Sequence, residues 1–186
     1  LDAVGAGGLG EVFSAWDSGL ERTVALKWLF PSVVEQDREA LRARLLAEAR
    51  ALARIRHPNV VTVHDVISHE GSDVIVMELI ERGRSVRGLP GAGWRSTVRD
   101  FVEAADGLVA AHDAGVIHRD FKSDNVLIDH RGRVVVVDFG LARPQGAVSV
   151  ALTPGAKHSS VSGTPAYLAP ERWRGAPADA ASDQYS

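Results

Sequence analysis

The sequence has 186 residues, of which 45% are hydrophobic, and a formal net charge of −3 at pH 7. This length fits one domain, and the charge argues against nucleic acid or a membrane surface as an obligate partner. The lack of cysteine excludes disulfide bonds, and no apolar run approaches the roughly 20 residues that span a bilayer. Because residues 1–10 also lack a basic signal segment, we expect a cytoplasmic protein and leave open only an anchor outside this stretch.

The first motif along the chain is the glycine-rich segment Gly-Ala-Gly-Gly-Leu-Gly-Glu-Val at residues 5–12. Glycines let backbone N–H groups come close to phosphate oxygens, so this segment is a candidate phosphate-binding loop. The alternation in residues 11–16 predicts a strand after the loop, whereas a dinucleotide-binding fold has a helix there. A plain glycine-rich hairpin is the alternative interpretation of this motif alone.

A strand and a helix are predicted next. Residues 22–29 form the predicted strand, with Lys27 inside an apolar run. Residues 36–56 predict a helix because apolar residues recur at spacings of three and four: Leu41, Leu45, Ala49, Leu52 and Ile55. Glu48 neighbours this apolar stripe. Taken alone, the lysine could face water from an edge strand and the glutamate could be a solvated helix acid.

Two further strands and a second long helix follow. The strands are predicted at residues 60–67 and 73–79, and residues 81–93 are rich in arginine and glycine and predict a linker. Residues 95–114 predict a helix that ends near Gly115, a typical C-cap residue. Its buried face is expected to contain Phe101, Ala105, Leu108 and Ala111.

The segment 116–128 has an unusual composition for a core element. Apolar runs at its two ends enclose charged and polar residues, namely His118, Arg119, Asp120, Lys122, Ser123, Asp124 and Asn125. Charges that lie so close to an interior must be paired, bound to a ligand or used in chemistry. This segment is therefore the strongest candidate for a functional site.

Two more motifs follow this segment. Asp138, Phe139 and Gly140 come directly after four consecutive valines, so a buried strand ends in a carboxylate. Residues 141–170 contain no aspartate or glutamate but many hydroxyl groups, and residues 163–171 read Gly-Thr-Pro-Ala-Tyr-Leu-Ala-Pro-Glu. A disordered loop would explain residues 144–160 but not residues 163–171.

The order and spacing of these motifs resemble the protein kinase family, in particular bacterial, eukaryotic-like serine/threonine kinases. The resemblance implies an α+β, two-lobed fold. Residues 1–80 would form an N-lobe of antiparallel sheet plus one helix and the hinge, and residues 81–186 a mostly helical, truncated C-lobe. Since kinase domains usually have about 250 residues, the chain resembles a kinase-domain fragment.

The resemblance also implies the roles of individual residues. The catalytic loop, residues 116–128, would contribute Asp120, Lys122 and Asn125 to catalysis, and Asn125 and Asp138 would bind Mg²⁺, with Mn²⁺ as an alternative. Lys27, held by Glu48, would bind the ATP phosphates, with Glu35 and Glu39 as less favoured alternatives to Glu48. The full set of expected ATP-site residues is Gly5, Ala6, Gly7, Gly8, Leu9, Gly10, Val12, Ala25, Lys27, Glu48, Met77, Glu78, Ile80 and Leu127.

Structural roles are implied as well. Met77 would be the gatekeeper, and residues 78–80 would be the hinge that meets adenine. Leu52, His118 and Phe139 are expected to stack as part of a hydrophobic spine between the lobes. Asp183 is expected to anchor the backbone of the catalytic loop.

Residues 141–170, the activation segment by resemblance, suggest a mode of regulation. Arg119 requires an anion, and this acid-free segment offers none before phosphorylation. We therefore expect autophosphorylation, for which a kinase–kinase dimer would bring two copies together. The candidate sites are Ser159, Ser160, Ser162 and Thr153. Thr164 is expected to contact Asp120 instead, and the expected partners are ATP and a protein with serine or threonine.

Three alternatives remain open from the sequence. A pseudokinase or scaffold would share the fold without phosphate transfer, although the catalytic positions have the expected residue types. A small-molecule kinase would lack the Gly-Thr-Pro and Ala-Pro-Glu segment that seats a peptide. The isolated 186-residue piece is expected to be poorly active, because apolar positions of the helix at 95–114 would lie uncovered.

Overall fold

The structure is a computed structural model that describes residues 1–7, 10–29, 38–69, 71–86, 93–140 and 165–186. Its first part is a five-stranded antiparallel sheet in the order β1-β2-β3-β5-β4. The strands are β1 (Asp2–Gly7), β2 (Gly10–Asp17), β3 (Arg22–Leu29), β4 (Val63–His69) and β5 (Ser72–Glu78). Helix α1 (Arg38–Ala53) packs against β4.

The second part contains a long helix and a small sheet. Helix α2 (Trp94–Asp113) packs against the small sheet, whose strands are β6 (Arg84–Ser85), β7 (Val126–Ile128) and β8 (Val134–Val136). Two short helices, α3 (Pro170–Trp173) and α4 (Ala180–Tyr185), follow. In the described part of the chain, no helix combines the length and apolarity that crossing a membrane requires.

One apolar core joins the two parts. Leu45, Ala49 and Leu52 of α1 belong to the same buried cluster as the three valines of β8. The loop after α1 bonds directly to β8, because Val61 donates its N–H to the Val136 carbonyl at 3.0 Å. The Val136 N–H in turn donates to the Asn59 carbonyl at 2.9 Å. This pairing explains why β4 begins at Val63, later than the sequence predicts: residues 60–61 pair with β8 instead.

The buried face of α2 differs from the predicted one. Leu108 and Ala111 are buried as expected, but Phe101 is 37% exposed and Ala105 is exposed. Gly107 is buried in their place, where a Cβ atom would lie 2.5 Å from the Asn59 carbonyl oxygen. The helix is therefore rotated so that its glycine admits the close approach of the loop after α1.

The end of α2 leads directly into the catalytic loop. The Gly115 N–H donates to the His112 carbonyl at 2.9 Å and the Val116 N–H donates to the Ala111 carbonyl at 2.9 Å, which is the Schellman pattern. Gly115 has a φ of +76°, which glycine adopts at little cost. This confirms the predicted C-cap and turns the chain toward His118.

Candidate active site

A cavity of about 390 Å³ lies between the five-stranded sheet and the catalytic loop. This volume falls in the range of roughly 300–1,000 Å³ that is typical of small-molecule sites. Both lobes contribute to its wall. The predicted site residues that line it are Gly5, Gly10, Val12, Ala25, Lys27, Met77, Glu78, Ile80, Asp120, Lys122, Asn125, Leu127 and Asp138.

Some cavity residues were missed by sequence reasoning: Val4, Val61, Asp124 and Val137, whereas Leu79 lies in the predicted segment 78–80. The position of Val4 directly before the glycine segment was a usable signal, and so was that of Asp124 within the catalytic loop. No signal in the sequence marked Val61, because it reaches the cavity only through its pairing with β8. The predicted residues Gly8 and Leu9 lie outside the described residues.

A strand follows the glycine segment, as predicted, where a dinucleotide-binding fold would have a helix. β1 and β2 pair in antiparallel register with Gly7 opposite Gly10. A Cβ atom at Gly10 would lie 2.0 Å from the Trp28 carbonyl oxygen, so only glycine fits there. β2 and β3 then place Val12 and Ala25 on the wall of the cavity.

The catalytic loop holds Asp120 at the cavity in a defined position. Its side chain is 7% exposed, and Oδ2 accepts a bond of 3.0 Å from Lys122 Nζ. Asn125 Nδ2 donates to the Asp120 backbone carbonyl at 2.8 Å. This bond fixes the orientation of the Asn125 amide, whose side-chain oxygen is the atom that could bind a hard cation.

Asp183 anchors the backbone of the catalytic loop, as the sequence predicts. Its carboxylate accepts the backbone N–H of His118 at 2.7 Å and that of Arg119 at 2.8 Å. It also lies 2.9 Å from His112 Nε2. Arg119 has a φ of +68°, an unfavourable conformation for a residue with a Cβ. These bonds offset the cost of that conformation and keep the loop in place.

The predicted Lys27–Glu48 ion pair is wrong for this structure. Lys27 is paired with Asp138, which lies two residues after β8 and lines the cavity. Glu48 lies away from the cavity lining and accepts two bonds from Arg119, of 2.7 and 2.9 Å. The reason is tertiary: α1 is placed so that Glu48 meets the guanidinium of Arg119, whose fork matches a carboxylate.

This pairing also corrects the expectation for Arg119. Its anion in the structure is Glu48, and the pair is largely buried, with 8% and 18% of the two side chains exposed. Arg119 Nη1 also lies 3.3 Å from the Gly140 carbonyl. The arginine is therefore neutralised without a phosphate.

Comparisons with known proteins are consistent with this geometry. A family described as "Protein kinase domain" matches residues 1–186. This chain belongs to the protein kinase family. It is 40% identical over 198 residues to the probable serine/threonine-protein kinase PknB of Corynebacterium glutamicum, covering 100% of this chain and 29% of the relative. It is 38% identical over 186 residues to serine/threonine-protein kinase PknL of Mycobacterium tuberculosis, covering 98% and 45%. The chain thus spans less than half the length of these curated relatives.

Solved structures agree with the fold of this kinase domain. A crystal structure of the M. tuberculosis PknI kinase domain has a TM-score of 0.71 at 28% identity, covering 100% of this chain and 66% of that one. The apo form of PpkA-294 has a TM-score of 0.72 at 24% identity and supports the fold alone. The predicted α+β kinase-like fold is therefore confirmed.

Glu78, the last residue of β5, and Arg133, which directly precedes β8, connect the two sheets of the kinase domain. Their side chains are paired, and Arg133 Nε lies 3.2 Å from Asp129 Oδ2. Burial lowers the pKa of Arg133, but the Glu78 and Asp129 carboxylates raise it by more. Glu78 also lines the cavity, so this ion pair holds one wall of the site.

His118 is fully buried beside Asp120 and is neutral. Its Nε2 lies 3.0 Å from the Val137 carbonyl, which can only accept, and its Nδ1 lies 3.3 Å from the Asp120 N–H, which can only donate. Burial lowers the pKa of His118, although the nearby carboxylates of Asp183, Asp138 and Asp120 and the Val137 carbonyl oppose the shift.

The ring of His118 packs 4.7 Å from that of Phe139, and Leu52 lies in the same buried cluster. The packing of His118 against Phe139 is as predicted for the spine.

The lowered pKa of His118 predicts a pH-dependent stability. In the unfolded chain His118 takes up a proton near its ordinary pKa of 6.5, whereas in the folded chain it takes up this proton only at lower pH. Stability should be full above about pH 6.5 and fall by up to about 1.4 kcal/mol per pH unit below it. Urea unfolding of the parent and of His118→Gln between pH 5 and 8 measures this. The variant should show a flatter profile, and parallel profiles would contradict the assignment.

Proposed function

We propose that the protein containing this chain transfers the γ-phosphoryl group of ATP to serine or threonine hydroxyls of proteins, with Mg²⁺, or Mn²⁺ in its place. The observation that carries the proposal is the convergence of Asp120, Lys122 and Lys27 on one cavity of about 390 Å³. A carboxylate and two ammonium groups at a nucleotide-sized cavity suit phosphoryl transfer, which depends on positioning and charge neutralisation.

In this proposal Asp120 orients the substrate hydroxyl and accepts its proton. The hydroxyl oxygen bonds to the γ-phosphorus while the bond from that phosphorus to the β–γ bridging oxygen breaks, and ADP leaves. Lys122, 3.0 Å from Asp120, neutralises charge on the transferred group. Asn125 and Asp138 offer the oxygen ligands that Mg²⁺ prefers, and the cation would neutralise charge on the phosphates.

The ion pair between Lys27 and Asp138 can exchange partners. Asp138 has 43% of its side chain exposed, so its pairing with Lys27 is exchangeable. When ATP is bound, Lys27 would turn to the phosphates, and Asp138 would be released to hold a cation. Glu48 would reach Lys27 only after it leaves Arg119.

The proposal is tested by incubating the full-length protein with ATP labelled at the γ-phosphate, Mg²⁺ and a generic basic protein. We expect label in the acceptor, and phospho-amino-acid analysis should find phosphoserine or phosphothreonine. Nucleotide binding without transfer would instead favour a pseudokinase. Label only in phosphotyrosine would contradict the serine/threonine assignment.

We further propose that autophosphorylation of the activation segment regulates this activity. The candidates Ser159, Ser160, Ser162 and Thr153, together with Thr164, lie outside the described residues. A phosphate there adds about −1.5 to −2 charge and would compete with Glu48 for Arg119. The release of Glu48 would then favour its pairing with Lys27, which links phosphorylation to the ATP site.

Phosphopeptide mapping of the active full-length protein tests the regulatory proposal. We expect phosphate within residues 153–162, and sites found only elsewhere would contradict it. If two separate copies must meet for the reaction, the initial rate should rise with the square of the enzyme concentration. A first-order dependence at all concentrations would show transfer within one copy or a preformed dimer.

A further inference from the structure

A hydrogen bond between two hydroxyl groups connects the catalytic loop to the segment that precedes α3. Ser123 Oγ lies 3.0 Å from Tyr167 Oη, and either oxygen can donate. Ser123 directly follows Lys122 and begins a 3₁₀ turn, while Tyr167 ends the 3₁₀ turn Pro165–Tyr167. The bond therefore joins two short turns that are otherwise 44 residues apart in the sequence.

Ser123 is also held from the hinge side. Ser85 Oγ donates to the Ser123 carbonyl at 2.8 Å, and Ser85 pairs with Leu127 of β7, which lines the large cavity. The backbone of Ser123 is thus positioned by the small sheet. Its hydroxyl is left to face Tyr167.

Tyr167 is held from its other side by α4. Its carbonyl accepts a bond of 2.7 Å from Ser186 Oγ, which also lies 3.0 Å from the Ser182 carbonyl of α4. The same helix contributes Asp183, which anchors the catalytic loop through two backbone N–H groups. The Ser123–Tyr167 bond therefore completes a ring of hydrogen bonds. The catalytic loop bonds to Asp183 of α4, Ser186 at the end of α4 bonds to Tyr167, and Tyr167 bonds back to Ser123 of the catalytic loop.

From this ring we propose that Ser123 is a positioning residue for the protein substrate. Its hydroxyl holds Tyr167, and with it the segment after residue 164, beside Lys122 and Asp120. The inference rests on the proposed function and extends it to substrate placement. Among the described residues, Lys122 and Asp124 line the nucleotide-sized cavity, whereas Ser123 and Tyr167 do not. The bond thus lies on the side of the catalytic loop that is left for the acceptor protein.

The location of the bond predicts which kinetic constant responds. In the full-length protein, Ser123→Ala and Tyr167→Phe should each raise KM for the protein substrate about three- to tenfold, the scale of one hydrogen bond. KM for ATP should stay within about twofold. The double variant should resemble either single variant, because both changes remove the same bond.

Two further variants sharpen the kinetic test. Ser123→Thr keeps a hydroxyl and should restore most of the lost affinity. Ser96→Ala removes another serine hydroxyl, which donates to the Gly93 carbonyl at 2.7 Å, and should leave both KM values unchanged. Additive effects in the double variant, or an equal rise in KM for ATP, would overturn the inference.

Hydrogen exchange separates this inference from the proposed function. In the nucleotide-free full-length protein, amides at residues 167–169 should exchange faster in Ser123→Ala and Tyr167→Phe than in the parent or in Ser96→Ala. If the parent transfers no phosphate, the proposed function fails, and the exchange result still decides whether the bond holds this segment. Unchanged exchange in both variants would refute the tether.

Discussion

Replacing Asp120 with asparagine is expected to lower the rate of phosphate transfer about 10²–10⁴-fold, the usual contribution of a general base. Asparagine keeps the size of the side chain but cannot accept the substrate proton. The Asp120 side chain is 7% exposed and is bonded to Lys122, so the change acts beside Lys122 and not on the cavity wall formed by Val12 and Ala25. ATP affinity, measured by titration, should therefore change by less than about threefold.

The matched control for this change is Asp106→Asn, which removes an exposed carboxylate from α2. Both variants lose one negative charge, so an effect of net charge alone would appear in both. If Asp120→Asn transfers phosphate as fast as the parent, Asp120 is not the base. If the parent and Asp120→Asn are equally inactive in phosphate transfer yet both bind ATP, the chain belongs to a pseudokinase.

Replacing Lys27 with methionine is expected to reduce phosphate transfer about 10²–10³-fold, the scale of losing one charged donor that stabilises the transition state. KM for ATP should rise as well, because Lys27 lies on the cavity wall with only 9% of its side chain exposed. Methionine has a similar volume and suits the apolar surroundings of β3. The free energy of unfolding should therefore be at least that of the parent, so a loss of activity would not reflect a loss of fold.

Arg22→Met is the control for this prediction. Arg22 begins the same strand and pairs with Asp17 at 3.5 Å, outside the cavity. It should bind and use ATP as the parent does. A Lys27→Met variant with an unchanged KM and rate would show that another group neutralises the phosphates, and a variant that unfolds would contradict the stability argument.

The sequence alone determined the local features of this kinase domain. Alternating residues predicted the strand that follows the glycine segment, because a strand exposes its two faces in turn. Gly115 predicted the end of the second long helix, because it takes a positive φ without strain. The polar catalytic loop between two apolar runs marked Asp120 and Asn125, because buried polar groups require partners or a function.

The partners of charged groups were decided only by the tertiary structure. Glu48 was correctly found on α1, yet it pairs with Arg119 while Lys27 pairs with Asp138. Several oppositely charged groups lie near one another in this site, and small shifts of a helix decide which pairs meet. The rotation of α2 about Gly107 is a similar case, because it depends on the approach of Asn59. Such contacts join residues far apart in sequence, and local periodicity therefore contains no information on them.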